Sequence, residues 1–191
     1  MTGQNSSKLL AMAAAAALGL VASPLFAQAV SHAESITGAD GWPLRMTYYP
    51  ALEKIPGKEK VDVKNAPVVI LLHGADGDRL FWDKRSAWPM NRPGPFAEVL
   101  QSNGYSVIAL DLRKHGESRR EGDGRLVASD YEAMVSDLTK VKEFILERHQ
   151  QQRLNMSKLA IIALDDACPI AAAFTELDWR LPPHDDHALP A

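Results

Sequence analysis

Cysteine is nearly absent from this chain, with Cys168 the only one in 191 residues. No intramolecular disulfide can form, so stability has to come from a packed core. Charge of one sign is lacking too: 21 Lys and Arg face 24 Asp and Glu, for a net charge of -3. The basic residues are scattered, which removes the electrostatic reason to expect nucleic acid or an anionic membrane as partner. No repeat or low-complexity tract stands outside the N-terminus, and no G-x-G-x-x-G follows an apolar run. A dinucleotide-binding domain, the rival that would also begin with a βαβ unit, fails on that absence. The remaining composition, 46% hydrophobic and 24% charged, suits a single soluble domain.

The N-terminus departs from that composition. A polar start ending in Lys8 leads into Leu9 to Phe26, almost wholly apolar and rich in alanine, and then into Ala27-Gln28-Ala29. Basic, apolar and small-residue regions in this order read as a secretory signal peptide over residues 1–29, with the mature chain starting at Val30. A retained membrane anchor is the alternative, since the stretch is near the ~18 residues needed to span a bilayer; Pro24 and the alanines favour cleavage. Neither a twin arginine nor a cysteine stands near the cleavage point, so twin-arginine export and lipid attachment are not indicated. The expectation is export to the periplasm or beyond the cell, without stable membrane insertion once the signal is removed.

Along the mature chain, Ile36 to Pro50 reads as an edge hairpin turning at Ala39-Asp40-Gly41, with Leu44, Met46 and Tyr48 alternating on its second strand. Glu53 to Asn65 is charged and contains Pro56-Gly57, as a surface connection would. Three continuous apolar runs follow, at Val68 to Leu72, Val107 to Leu110 and Leu159 to Leu164. Such runs suit strands buried on both faces of a parallel sheet. Phe96, Val99 and Leu100 have helical spacing, stopped by Asn103-Gly104. A longer helix carries Tyr131, Met134, Val135, Leu138, Val141 and Ile145 on one stripe, with Ser129 and Glu132 at capping-box spacing. Pro169 to Leu177 reads as a last helix. The pattern predicts an α/β fold, a mostly parallel sheet with helices on both faces, after an antiparallel hairpin.

In such a sheet, chemistry gathers beyond the carboxyl ends of the strands. The first run ends in His73-Gly74-Ala75-Asp76-Gly77, and the second runs into Asp111-Leu112-Arg113-Lys114-His115-Gly116-Glu117-Ser118. Here the chain resembles the α/β-hydrolase superfamily, in which a strand ending in His-Gly shapes the oxyanion hole and the next runs into an Asp-x-Arg-x-x-Gly-x-Ser turn. The resemblance covers roughly residues 36–174. It implies that the backbone N–H of Ala75 is an oxyanion donor and that Arg113, His115, Gly116 and Ser118 hold the second turn in shape. His73 is read as a buried histidine satisfied by local backbone. Neither His73 nor His115 is expected to be a catalytic base.

The resemblance places a nucleophile elbow after the third run, where Ala163-Leu164-Asp165-Asp166-Ala167 stands. Ala163 and Ala167 meet the need for small residues two before and two after the nucleophile, but the serine is absent. Asp165 occupies the nucleophile position, as in the dehalogenases and epoxide hydrolases of the superfamily, and Asp166 would give the second oxyanion N–H. The competing reading has both aspartates capping a helix start, in accord with its dipole. Cys168 is read as a small packing residue.

The superfamily's late acid and histidine have no counterpart in Thr175 to Ala191, so the fold is expected to lack its C-terminal strands. A domain over residues 30–175 would precede a proline-rich tail over 176–191. His184-Asp185-Asp186-His187 offers imidazole and carboxylate ligands, but in a segment where disorder is the expectation, so no metal and no cofactor are expected. Expected partners are a small-molecule substrate or ligand and a segment covering the open sheet edge. Three readings stay open: a hydrolase of esters or related bonds, a catalytically inactive hydrolase-fold binding protein, or a non-functional fragment.

Overall fold

The computed structural model describes residues 29–57, 60–84 and 94–182. The segment read as a signal peptide, apart from Ala29, and His184 to His187 lie outside the described residues. β1 (His32–Thr37) and β2 (Pro43–Tyr49) form the hairpin, followed by β3 (Pro67–Leu72), α1 (Phe96–Ser102), β4 (Ser106–Leu110), α2 (Ala128–Gln150), β5 (Asn155–Ala163) and α3 (Ala167–Trp179). α3 thus continues beyond residue 175, where the tail was expected.

The five strands lie in the order β1-β2-β4-β3-β5. β1 pairs antiparallel with β2, β2 antiparallel with β4, and β3 is parallel to β4 and β5. Among the described residues only β1 of the hairpin is therefore an edge; β2 is internal. Alternation along β3 and β4 divides the core between two faces. Val68, Ile70, Leu72, Ile108 and Leu110 meet Met134, Leu138, Val141 and Ile145 of α2 and Ile170 and Phe174 of α3. Val69, Leu71, Val107 and Ala109 turn to the other face, with Ala97 of α1 and Trp82 of the 3-10 turn Arg79–Asp83. Every side chain of β4 is buried, as a strand covered on both faces requires.

β5 differs from its expectation. Ala160 is exposed and Leu159, Ile161, Ile162 and Ala163 are half-buried, because among the described residues β5 pairs on one side only, with β3. The start of α2 differs as well. Ser129 and Glu132 do not form the box; the Asp130 carboxylate accepts the N–H of Val127 at 2.8 Å, and α2 begins at Ala128. Asp130 wins that place because its carboxylate also holds Lys114 at 2.7 Å, tying the helix start to the turn after β4.

Candidate active site

β3 and β5 are parallel neighbours, so the residues after both reach the same end of the sheet. Gly74, Ala75, Asp76 and Gly77 there meet Phe81, Leu164, Asp165 and Asp166 around a cleft of about 350 Å³. The three sequence candidates, Ala75, Asp165 and Asp166, all line it. Phe81 carries no motif and could not have been found from its surroundings in sequence.

The first turn is held by His73, which is fully buried. Its Nε2 accepts the N–H of Leu112 at 3.1 Å, and a ring nitrogen that accepts carries no proton. The proton therefore sits on Nδ1 and is donated to the Gly74 carbonyl at 2.7 Å. Gly77 N–H donates to the same carbonyl at 2.9 Å. In a planar trans peptide the next N–H points opposite to a carbonyl so held. The N–H of Ala75 thus faces away from the turn, and it donates to no other described group.

Burial lowers the His73 pKa from the ordinary 6.5, against the Gly74 hydrogen bond, which raises it. The folded state favours the neutral ring, so this contribution to stability is complete above 6.5 and is lost as pH falls below it, where the unfolded chain binds more protons. The urea midpoint is expected to fall between pH 7.5 and pH 5.5, and to fall less in His73→Asn. Equal falls in the two proteins would remove His73 as the cause.

At the second turn, the fully buried Asp111 accepts the N–H of Arg79 at 2.6 Å and of Glu117 at 2.8 Å, and pairs with the Arg79 guanidinium. Ser118 Oγ donates to Asp111 O and accepts the N–H of Arg45, each at 2.8 Å. Arg113 donates to Asp137 at 3.0 and 2.9 Å and to Asp40 at 2.5 and 2.9 Å, and lies 4.7 Å from the Trp42 ring centroid. The hydrogen bond from Arg113 holds Asp40 down at about 2, whereas burial pushes Asp137 up. His115 presents its ring nitrogens to Arg113 O and Ala75 O at 2.8 and 2.7 Å. These side chains bind the second turn to the hairpin, to α2 and to the first turn, leaving neither histidine placed as a base. Arg79, Asp40 and Asp137 belong to this framework and carry no sequence signal of it.

Asp165 stands at the β5–α3 junction with φ of 49°, a left-handed conformation uncommon outside glycine and a mark of strain retained at functional sites. Leu164 N–H still donates to Leu72 O at 3.1 Å, while Cys168 N–H already donates to Asp165 O at 3.1 Å. Strand thus gives way to helix across the three residues Leu164, Asp165 and Asp166. The side chain is exposed and turned toward Gly74, where an added Cβ would lie 2.5 Å from Asp165 Oδ2.

The capping bonds expected of the two aspartates are not made among the described residues. Asp166 is the N-cap residue of α3 but makes no side-chain capping bond, and Asp165 Oδ atoms accept none from described groups. The left-handed turn directs the Asp165 carboxylate toward Gly74, in the turn after β3, instead of forward over the helix. The N–H of Asp166 donates to no described group. Cys168 is exposed, not packed, since it lies on the outward side of the first turn of α3. Among the described residues, no group of three or more His, Cys, Asp or Glu could hold a metal ion.

Residues 67–158 match a family model described as the alpha/beta hydrolase fold. No curated protein matches the chain. Among solved structures, the acetyl xylan esterase from Paenibacillus sp. R4 aligns with a TM-score of 0.52 at 20% identity, over 80% of this chain and 51% of that one. The alpha/beta hydrolase GrgF from Penicillium sp. sh18 aligns with a TM-score of 0.55 at 18% identity, over 80% of this chain and 43% of its own. The dienelactone hydrolase from Anabaena variabilis aligns with a TM-score of 0.50 at 19% identity, over 75% and 56%. The chain therefore spans about half the length of these proteins. At such identities the alignments speak for the fold, and the family match covers β3, α1, β4, α2 and the start of β5, the part that builds both turns. The chain has the α/β-hydrolase fold.

Proposed function

We propose that this chain is the nucleophile-bearing part of an exported hydrolase, in which Asp165 attacks carbon in place of a serine. The observation that carries the reading is the left-handed φ of 49° at Asp165, with its carboxylate over the first turn and without a partner among the described residues. A carboxylate there suits an alkyl halide or an epoxide better than serine-type acyl transfer. One Asp165 oxygen forms a bond to the substrate carbon as the carbon–halogen or ring carbon–oxygen bond breaks. Halide departs with the electron pair, or the ring oxygen takes a proton from water.

The resulting ester is then opened by water attacking its carboxyl carbon. The oxyanion so formed meets the N–H groups of Ala75 and Asp166. That water needs a base, and His73 and His115 are both held by backbone groups. The acid and base of the reading come from outside the described residues, a view supported by the half-length coverage of the solved relatives. Export rests on the apolar Leu9 to Phe26 segment and Ala27-Gln28-Ala29, and the open side of β5 is where a covering segment would pair. The second reading, a binding protein without turnover, draws on the same two engaged histidines.

The test is consumption of styrene oxide in a Cys168→Ser background, which removes the exposed thiol as a competing nucleophile. At least one equivalent per chain is expected to be consumed, and none after Asp165→Asn. Equal consumption by both would show that Asp165 is not the nucleophile. Absence of consumption in both would leave the binding reading.

A further inference from the structure

Beyond the Ala75–Gly77 turn, on the side away from Asp165, lies a second cavity of about 440 Å³. It shares Ala75, Asp76 and Gly77 with the candidate cleft as a common wall. Its other sides come from the turn after β4 and the segment before α2, and they bring Lys114, Arg119 and Arg125 together.

The three cations are not equivalent. Lys114 has φ of 63°, and its ammonium is spent on Asp130 at 2.7 Å and the Arg125 carbonyl at 3.3 Å. Its charge is neutralised, and its effect is to pin the Arg125 segment against the turn. Arg119 donates Nε to Lys114 O at 3.2 Å, which orients the guanidinium and leaves its two terminal nitrogens without a partner among the described residues. The Arg125 guanidinium has no described partner at all. Against these two free forks the lining carries one carboxylate, Asp76, on the shared wall. At Gly124 an added Cβ would meet nothing within 4 Å, which leaves that part of the lining open to a small group.

We propose that this cavity binds the carboxylate of a small-molecule substrate whose reacting carbon lies across the shared wall at Asp165. A planar guanidinium fork matches a carboxylate with two parallel hydrogen bonds, so Arg119 and Arg125 together favour that group over a neutral one. The substrate class is then an acid bearing an electrophilic carbon, short enough to bridge a single turn of backbone. The position of the reacting end rests on the Asp165 reading, while the anion binding does not.

Two measurements separate those parts. In the Cys168→Ser background, 4-carboxystyrene oxide is expected to be consumed about tenfold faster than styrene oxide, the order expected of charge-assisted hydrogen bonds. Arg119→Gln/Arg125→Gln should bring the ratio of the two rates close to one. Calorimetric titration with unreactive 4-ethylbenzoate should show binding that weakens by about tenfold in the double variant and with added salt. If neither epoxide reacts but ethylbenzoate binds and is lost with the arginines, the nucleophile reading fails and the carboxylate site stands. Absence of ethylbenzoate binding, or an affinity unchanged by the double substitution, overturns the proposal.

Discussion

Replacing Arg113 by leucine is expected to lower the stability of the chain by about 3–5 kcal/mol, the cost of leaving a buried charge without its partner. Arg113 and Asp137 side chains are 4% and 2% exposed, whereas Asp40 is 53% exposed. Loss of the arginine therefore strands Asp137, because water can reach Asp40 but not Asp137. Burial already pushes the Asp137 pKa up with Arg113 present, so the uncompensated carboxylate would have to be protonated or drag α2 outward. Denaturant titration checks this, and Arg113→Leu/Asp137→Leu supplies the control. Removing both charges is expected to restore most of the lost stability, since an apolar pair at a buried site is often neutral or better. A single variant within about 1 kcal/mol of the parent, far below the 3–5 typical of a broken buried pair, would show that this junction does not hold the second turn.

The second large effect concerns reactivity without stability. At Gly74 an added Cβ would stand 2.5 Å from Asp165 Oδ2 and 3.2 Å from Asp165 Cβ. The backbone there is not left-handed, so alanine costs no conformational strain and the carboxylate is the group that must give way. Gly74→Ala is expected to slow consumption of styrene oxide by about 100-fold, the order expected when a reacting group is displaced by about 1 Å. The urea midpoint should change little. A rate unchanged by Gly74→Ala would mean that the carboxylate reacts from a position other than the one against Gly74.

The strands were readable where burial on both faces leaves no choice of residue. Val68 to Leu72 and Val107 to Leu110 are core in sequence and in structure, each with one residue added at its start. β5 was harder, since its apolar run announces burial while its open flank leaves Ala160 exposed. No local pattern encodes whether a neighbouring strand is present. The start of α2 was misplaced because Ser129 and Glu132 satisfy a local capping rule, while Asp130 satisfies that need and a tertiary pair with Lys114 together.

The candidate site was legible as a set of positions that line one cleft. Ala163 and Ala167 marked the elbow and His73-Gly74 the first turn, because tight turns restrict residue size. What could not be read was direction. The direction of the Asp165 carboxylate depended on a single dihedral, and the role of His73 on which nitrogen accepts the N–H of Leu112 from 39 residues away. The Arg113 pairs with Asp40 and Asp137 and the cavity around Arg119 and Arg125 likewise join segments that only the folded sheet brings together.

Peptide mapping after exposure to styrene oxide tests the central claim most directly, because it reports where the new bond forms. In the Cys168→Ser chain, the added mass is expected on the peptide containing Asp165, to be released by mild base as an ester would be, and to be absent from Asp165→Asn. Labelling confined to other carboxylates, or unchanged in Asp165→Asn, would contradict the assignment of Asp165 as the nucleophile of this fold.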